Sequence, residues 1–441
     1  MNTPHTPPHP SAWEELFSPG GGADVEDRWK DLYGQDAAGA PARCSAIGRR
    51  YVELFGESPS IFVSTPGRVE IGGNHTDHNN GPVIAAAVTL DSVAAARKTD
   101  DRTVTLSSAG YASPFCVRLD DLRARPEERG TTSALIRGIA ARCAEAGYGI
   151  GGFHAYVESQ IAPGSGLSSS ACIEILIGTI LNALYNSSRI PLEELATICQ
   201  YAENAYFGKP CGLMDQLACA VGGMVAIDFS NPHRPAIHRI RHTLDSAGLR
   251  LAVVHAGGSH ADLTAEYAAI PAEMKAVAAA LGYRTCRDIG GEVEILNALP
   301  ALREKTGDRA ILRALHFVGE CRRVPRQVRS LEEGRIEEFL FHVNASGRSS
   351  AMWLQNSYPG STPEEQGITL ALALTEGYIE TVGRGACRIH GGGFAGTILA
   401  ILPSEAIDGY RAMIEHVFGE DSLALLDIRS VGTLVLGENG V

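Results

Sequence analysis

The sequence lacks the features that mark several large classes of protein. Its ten cysteines include no Cys-x-x-Cys pair, so a zinc or disulfide framework is not indicated and a reducing cytoplasm is favoured. We find no uninterrupted apolar run of about 18 residues and no basic-then-apolar N-terminus, which argues against a membrane span and a secretory signal. Positive charge is scarce as well. With a formal net charge of −13, neither nucleic acid nor an anionic membrane is expected as a partner.

What is present is typical of a globular protein of two domains. The chain has 441 residues, of which 44% are hydrophobic and 20% are charged, the balance of a globular protein. A chain of this length usually folds around more than one hydrophobic core. Residues 1–25 are rich in Pro, His and Gly and are predicted to form a flexible leader. A change in composition near 242–248 predicts an N-terminal domain over 26–245 and a C-terminal domain over 246–441.

The apolar patterns predict an α+β protein whose helices are clustered rather than strictly alternating with strands. One or two helices are predicted over 24–55, further helices over 133–146, 172–185 and 192–206, and mostly helix over 262–355. Strands are predicted at 61–63, 83–88, 93–98, 104–106, 152–157, 224–228, 249–255 and 430–436, with a strand–turn–strand unit over 385–402.

A Gly- and Ser-rich stretch at 163–171, Pro-Gly-Ser-Gly-Leu-Ser-Ser-Ser-Ala, separates a strand from a helix. Glycines let the backbone approach a ligand closely, and the serines are expected to cap the helix that follows. The positive end of that helix favours an anion, so the stretch is predicted to hold phosphate. An ordinary turn before a helix is the alternative. No Lys follows the glycines, which disfavours a nucleotide-binding loop of the Walker type.

Residues 67–81 form a polar stretch with four glycines between two apolar strands, and we interpret them as a loop that lines a site. His75 and His78 are spaced to chelate a metal, although such sites need further ligands. A carboxylate at Asp77 next to Asn and His side chains suits a polyhydroxylated ligand better, because Asp accepts hydrogen bonds from neighbouring hydroxyl groups.

Two further stretches carry polar residues among glycines. In the first, Glu203 lies near a helix end and Asp215 follows a Pro/Gly turn. Asp215 is placed to take a proton from an attacking hydroxyl or to orient it, and it can also act as the N-cap of the next helix. The second is 389–397, in which four glycines surround Phe394.

Taken together, these stretches resemble the galactokinases of the GHMP small-molecule kinase superfamily, over about residues 45–441. Residues 68–77 resemble the sugar loop, 163–171 the ATP-phosphate loop and 391–396 the third, glycine-rich motif. The resemblance implies a two-domain GHMP kinase fold. Its N-terminal domain would have a mixed sheet (ribosomal protein S5 domain 2-like), its C-terminal domain would be ferredoxin-like α+β, and ATP and sugar would bind in the cleft between them.

The resemblance also implies roles for particular residues. Asp215 would be the catalytic carboxylate and Arg68 its partner, and Mg²⁺ would be held by Ser170 and Glu203. The residues implied to cradle ATP are Gly164, Ser165, Gly166, Leu167, Ser168, Ser169 and Ser170. Those implied at the sugar are Asn74, His75, Asp77, Gly212 and Tyr267. ATP and a monosaccharide are the expected partners, with no obligate protein partner.

The chain departs from the family where Asn74 and His78 replace the Glu and Tyr of Gly-Glu-His-Thr-Asp-Tyr. In the family that Glu binds the hydroxyl on carbon 6 of galactose. An amide binds a hydroxyl donor less strongly than a carboxylate does, and it no longer repels a carboxylate on the sugar. Galactose is therefore the leading acceptor, with galacturonate or arabinose as alternatives. A non-catalytic sugar sensor is disfavoured because Arg68, Glu203, Asp215 and the serines are all present.

Overall fold

A computed structural model describes residues 12–17, 23–162, 164–241, 244–258 and 263–436 of the protein. Within these ranges the chain forms two β-sheets with helices packed against them. The predicted α+β class is confirmed, and the helices cluster as expected. In the described ranges we find no helix with the length and apolarity needed to cross a membrane.

The predicted elements occur in the predicted order, with some strands longer than expected, whereas the strands at Phe115–Arg118, Ala236–Ile240 and Leu423–Leu426 and the helices at Gly367–Val382 and Ile407–Phe418 were not predicted. The described α-helices are α1 (Ala12–Leu16), α2 (Ala23–Tyr33), α3 (Ala40–Phe55), α4 (Thr132–Glu145), α5 (Ser169–Asn186), α6 (Leu192–Ala202), α7 (Met214–Val221), α8 (Thr264–Ala280), α9 (Glu292–Asn297), α10 (Leu299–Thr306), α11 (Asp308–Glu332), α12 (Ile336–Ser349), α13 (Gly367–Val382) and α14 (Ile407–Phe418). The described strands are β1 (Ile61–Gly72), β2 (Pro82–Lys98), β3 (Thr103–Ser108), β4 (Phe115–Arg118), β5 (Phe153–Ser159), β6 (Met224–Asp228), β7 (Ala236–Ile240), β8 (Leu249–His255), β9 (Ala386–Ile389), β10 (Thr397–Pro403), β11 (Leu423–Leu426) and β12 (Leu434–Leu436).

The larger sheet is mixed, as predicted for the N-terminal part of the chain. Among the described residues its order is β12-β1-β2-β5-β3-β4, with β6 and β7 pairing onward from β2. The β3–β5 pair is parallel, whereas β1 and β2 are antiparallel. The smaller sheet has the order β11-β8-β10-β9 and is antiparallel. Because the short strand β12 pairs with β1, the end of the described chain returns to the first sheet. The division at residue 245 stays a prediction.

Two bulges or irregularities in the pairing of β1 with β2 shape the strand that carries the first polar stretch. Its pairing with β2 shifts between Pro66 and Arg68, and again between Glu70 and Gly72. Residues 68–72 were predicted to lie in a loop but belong to this strand. The reason is their pairing with the Ala-rich strand β2, a contact distant in sequence. Between the bulges the side chains alternate, so Arg68 and Glu70 share one face while Val69 packs in the core.

The prediction of a flexible leader over residues 1–25 is wrong for the part at residues 12–17. Residues 12–17 form helix α1 and its last turn, and Trp13 and Phe17 are buried. Their rings pack on Phe62 of β1, with centroids 5.9 and 4.7 Å away. Residues 1–11 and 18–22 of the predicted leader lie outside the described ranges. Composition predicted disorder here because the two aromatic side chains are isolated in a polar stretch, and only the tertiary structure supplies their partner.

Candidate active site

The phosphate-loop candidate lies between β5 and α5, against strand β1. The Leu167 side chain is buried in the core, and its carbonyl accepts a hydrogen bond from the Arg68 amide at 3.1 Å. Gly166 has a φ of +76°, and a Cβ there would lie 2.4 Å from the Thr397 hydroxyl. A glycine is therefore required where the loop meets the third glycine-rich stretch. Pro163 lies outside the described residues.

The serines of this loop do not cap α5 as predicted. Ser168 precedes the helix with φ and ψ of 58°, and its side chain makes no capping hydrogen bond. Its hydroxyl donates to Asp215 Oδ2 at 2.5 Å, and the Ser170 hydroxyl donates to Glu203 Oε1 at 3.1 Å. The amides at the start of α5 are thus left without a side-chain cap, which is the arrangement that binds anions at helix N-termini.

Asp215 and Arg68 form the central ion pair of the site. Arg68 Nε donates to Asp215 Oδ1 at 2.7 Å and Nη2 donates to Oδ2 at 2.8 Å. The third guanidinium nitrogen, Nη1, donates to the Gly166 carbonyl at 2.6 Å. One arginine therefore links β1, the phosphate loop and α7, and its two-pronged geometry fixes the orientation of the carboxylate. Asp215 lies inside α7, which begins after Leu213, so its alternative role as an N-cap is wrong.

The surroundings of Asp215 favour its ionised form. Burial by itself would raise the pKa of this carboxyl, but the Arg68 charge and the hydrogen bonds from Arg68 and Ser168 outweigh burial and lower the pKa to about 2. Asp215 is therefore a carboxylate at neutral pH. Because a carboxylate of such low pKa is a weak base, its geometry suits positioning of a hydroxyl group better than early removal of a proton.

Glu203 lies at the start of a π-helical turn, Glu203–Phe207, that follows α6. Such turns are frequent at functional sites. One carboxylate oxygen, Oε1, accepts from Ser170 and from the Lys209 ammonium at 3.3 Å. The other, Oε2, accepts from Gln216 Nε2 at 2.9 Å, and the same nitrogen donates to Glu174 Oε2 at 3.0 Å. Burial, followed by the Glu203 charge, raises the pKa of Glu174 well above its usual value. The surroundings of Glu174 therefore favour its protonated form.

His75 and Asp77, predicted at the sugar, lie near Gly212 and the third glycine-rich stretch. The His75 ring nitrogen Nε2 lies 2.8 Å from the Gly392 carbonyl, which can only accept, so Nε2 carries the proton. Burial lowers the pKa of His75 to about 3, so the ring is neutral at physiological pH. A Cβ built on Gly212 would lie 1.6 Å from Asp77 Oδ2. The Asp77 carboxylate thus lies directly against the turn that precedes Asp215.

Tyr267 joins this group from helix α8 of the C-terminal half. Its hydroxyl donates to the Gly393 carbonyl at 3.1 Å, and its ring packs edge-to-face on Phe394, with centroids 5.5 Å apart. Burial raises the pKa of Tyr267 to about 12, so the phenol keeps its proton. The structure therefore places His75 and Tyr267 on consecutive carbonyls of the third glycine-rich stretch.

Asn74 differs from the other residues predicted at the sugar. Its side chain is fully buried, and Nδ2 donates to Glu70 Oε1 and to the Gly391 carbonyl. Oδ1 accepts from Ser350 and from Asn356. A carboxamide has two N–H donors and two acceptor positions, and the protein uses all four. The side chain therefore joins the two halves of the chain, and its contact with the sugar stays a prediction that this bonding disfavours.

Sequence reasoning missed the groups that support these residues. Glu70 accepts from Arg388 Nη2 at 2.5 Å in a buried pair, and its amide donates to His390 Nε2. His316 is buried, and its ring nitrogens pair with the Ser349 hydroxyl and the Asn74 carbonyl. A charged residue inside an apolar strand, such as Glu70 or Arg388, is the only signal that the sequence offers for them.

The alternative of a metal held by His75 and His78 gains no support. Their rings are stacked with centroids 6.2 Å apart. Across the described residues, we find no group of three or more His, Cys, Asp or Glu side chains arranged to hold a metal ion. Any metal here would need further ligands from a bound molecule.

If Asp77 binds an acceptor sugar as predicted, substituting Gly212 with alanine is expected to raise the KM for that sugar at least about tenfold, because the new Cβ displaces the Asp77 carboxylate and its charge-assisted hydrogen bond to the sugar is lost. The Kd for ADP, measured by calorimetry, should change little. The matched control is Gly377→Ala in helix α13, where a Cβ meets nothing within 4 Å. An unchanged KM in Gly212→Ala would show that Asp77 does not bind the acceptor.

Comparisons with known proteins agree with this geometry. A model of the GHMP kinases N terminal domain matches residues 134–223, and the galactokinase galactose-binding signature matches residues 49–98. The galactokinase of Streptomyces coelicolor is 32% identical over 388 residues, which cover 87% of this chain and 95% of that protein. Human galactokinase is 30% identical, over 88% of this chain and 95% of the human protein.

Solved structures show the same fold. The crystal structure of Lactococcus lactis galactokinase complexed with galactose has a TM-score of 0.76 at 24% identity, covering 88% of this chain and 99% of that one. Methanococcus jannaschii mevalonate kinase has a TM-score of 0.55 at 14% identity, covering 83% and 98%. From the similarity over nearly the full length of its relatives, the chain belongs to the galactokinase family of GHMP kinases, which are phosphotransferases with an alcohol group as acceptor.

Proposed function

We propose that this protein transfers the γ-phosphoryl group of ATP, with Mg²⁺, to the anomeric hydroxyl of galactose and so makes galactose 1-phosphate. The single observation that carries the proposal is the Asp215 carboxylate, held by Arg68 and Ser168 beside the phosphate loop. This carboxylate can orient a hydroxyl group, and it lies near the start of helix α5, where anions are favoured. The galactokinase names of the relatives supply the acceptor.

Asp215 would accept a hydrogen bond from the anomeric hydroxyl and aim its oxygen at the γ-phosphorus. A carboxylate with a pKa of about 2 is a weak base, so the proposal is that Asp215 mainly orients the hydroxyl and that proton transfer to it comes late in the reaction. Arg68 donates hydrogen bonds both to this carboxylate and to the Gly166 carbonyl of the phosphate loop. Its positive charge would therefore lie near the phosphoryl group that is transferred. Phosphoryl transfer depends mainly on alignment and on charge stabilisation, and these two residues contribute to both.

ATP would bind with its phosphates on residues 164–170. The backbone of Gly164 to Leu167 and the hydroxyls of Ser168 and Ser169 are proposed to surround the triphosphate. The uncapped amides at the start of α5 and the dipole of this long helix add positive potential. Because the overall charge of the chain is −13, such local sources of positive potential are what an anionic substrate requires.

Ser170 and Glu203 are the residues proposed to hold Mg²⁺. A hydroxyl and a carboxylate meet at Glu203 Oε1, and hard oxygen donors of this kind suit Mg²⁺, which takes its remaining ligands from phosphates and water. The Lys209 ammonium binds the same oxygen, which indicates that the position attracts a cation. Mg²⁺ bound with the nucleotide supplies charge neutralisation on the phosphates.

A second acceptor is favoured by the geometry of Asn74. His75, Asp77, Gly212 and Tyr267 remain proposed contacts of the sugar. Asn74, however, has no hydrogen-bonding capacity left for the hydroxyl on carbon 6. The site therefore holds that end of the sugar less strongly than a carboxylate would, and arabinose or galacturonate becomes an alternative substrate for the same chemistry.

The test is ATP consumption by the purified protein with galactose, L-arabinose and galacturonate in parallel. We expect turnover of galactose, with a value of kcat/KM for L-arabinose lower by only about tenfold, because a weakly bound group contributes at the lower end of the range of about 10- to 200-fold for one small group. Phosphorus NMR of the product should show an anomeric phosphate. If galactose is inert and another of these sugars reacts, the acceptor is reassigned. If no sugar stimulates ATP consumption, the proposed function fails.

The compartment proposed for this reaction is the cytoplasm. All ten cysteines are free, and seven of them are buried. Unpaired thiols in this number suit a reducing environment.

A further inference from the structure

A second cation besides Arg68 lies at the proposed site, and none of the roles above uses it. Lys209 follows the π-helical turn, and its ammonium donates to Glu203 Oε1 at 3.3 Å. The same oxygen accepts from the Ser170 hydroxyl at 3.1 Å. The Lys209 ammonium and the first turn of α5 are therefore within two hydrogen-bond lengths of each other.

The backbone around Lys209 is held in place while its side chain reaches solvent. Pro210 follows it directly, and the next amide, that of Cys211, donates to Asn204 Oδ1 at 2.7 Å. The Lys209 side chain is 57% exposed, whereas that of Glu203 is 3% exposed. Lys209 thus reaches a buried carboxylate from the solvent side, and its flexible stem lets the ammonium move without a change in the backbone.

The oxygen of Glu203 that meets Lys209 and Ser170 is Oε1. Oε2 is bound by the buried side-chain amide of Gln216, which also holds Glu174. Any cation that binds Glu203 from the solvent side must therefore meet Oε1, where Lys209 already lies. Two cations cannot share one carboxylate oxygen at hydrogen-bond distance without strong repulsion.

We propose that Lys209 is the counter-ion of Glu203 in the nucleotide-free protein and a polyphosphate-binding residue once Mg²⁺ takes Oε1. The inference rests on the proposed function. Displaced from Glu203, the ammonium remains attached beside the start of α5, where the phosphates are proposed to lie. The nearest unsatisfied negative charge is then that of the nucleotide. Lys209 therefore keeps the site close to charge balance in both states.

If the inference is correct, removing the charge of Lys209 weakens nucleotide binding more without metal than with it. Without metal, Lys209→Met leaves the Glu203 carboxylate facing the phosphates, so the Kd for ADP in EDTA should rise about tenfold or more. With saturating Mg²⁺ the metal neutralises Glu203, and only the solvent-exposed contact of Lys209 with the phosphates is lost, so the Kd should rise by about two- to threefold. An unchanged Kd in Mg²⁺ would show that Lys209 does not bind the polyphosphate. Lys209→Arg, which keeps the charge, should stay within about threefold of the unaltered protein in both conditions.

Isothermal titration calorimetry with ADP, in EDTA and in Mg²⁺, measures both constants. The control is Lys305→Met, which removes an exposed lysine at the end of α10 and should change neither constant. Circular dichroism confirms that each variant is folded. An equal change in the two conditions, or none, would overturn the inference while leaving the proposed function intact. Failure of the unaltered protein to bind ADP with Mg²⁺ would instead remove the proposed function and this inference with it.

Discussion

Replacement of Asp215 by asparagine is expected to lower kcat by about 10²- to 10⁴-fold, the range typical for loss of an acid–base or positioning group. Asparagine keeps the shape of the side chain but removes the charge that binds Arg68 and is proposed to hold the anomeric hydroxyl. Since the phosphate loop and α5 are unaltered, the Kd for Mg²⁺·ADP should change less than about threefold, the expectation for a group that acts mainly in the transition state. Steady-state kinetics and calorimetry measure the two quantities.

A matched control is available on β6. Asp228 also pairs with an arginine through both of its oxygens, at 3.2 and 3.0 Å from Arg287 Nη2. Asp228→Asn removes the same kind of charge away from the site and should leave kcat within about twofold, as surface pairs contribute little. If Asp215→Asn kept more than a tenth of the original kcat while the control did the same, Asp215 would not be the group that orients the acceptor.

Breaking the Glu70–Arg388 pair is expected to have the largest effect on stability. Both side chains are buried, at 3% and 0% exposure, and Arg388 comes from β9 of the smaller sheet. Burial raises the pKa of Glu70, an effect that the Arg388 charge opposes most strongly. Arg388→Met leaves this carboxylate without its partner, and the free energy of unfolding should fall by about 3–5 kcal/mol. Urea denaturation followed by circular dichroism gives the value.

The double variant Glu70→Gln, Arg388→Met distinguishes an unpaired charge from lost packing. Removing both charges should restore at least half of the lost stability, because the penalty comes mostly from the buried carboxylate. The exposed pair Arg303–Asp308, at 62% and 65% exposure, is the control, and Arg303→Met should cost less than about 1 kcal/mol. A double variant as unstable as Arg388→Met would mean that the arginine acts through its packing.

Much of the fold was predictable because its signals are local. The strands over 224–228 and 249–255 and the helix over 133–146 occur where apolar periodicity placed them. Residues 68–72 and the segment around Trp13 were misassigned. The structure of residues 68–72 depends on their pairing with β2, and that of the Trp13 segment depends on its contact with Phe62. Periodicity within a short window of sequence does not include these partners.

The proposed site was predictable to a similar degree. Arg68, Ser168 and Asp215 were selected from separate stretches, and the structure brings them together. Asn74 was also selected, from a motif, yet its orientation depends on Ser350 and Asn356, which no motif contains. Lys209 was not predicted as a site residue because a lysine in a turn is ordinarily solvated. Its hydrogen bond to Glu203 is evident only from the three-dimensional structure.

The class of fold, the order of the glycine-rich stretches and the chemical types available for binding phosphate can be inferred from the amino-acid sequence. Glycine conformations, helix starts and apolar periodicity are short-range properties, and a chain displays them directly. Which carboxylate meets which cation becomes clear only in the folded protein, because pairs such as Glu70–Arg388 and Arg68–Asp215 join distant segments. Burial makes these pairings strong, and burial is a property of the folded chain alone.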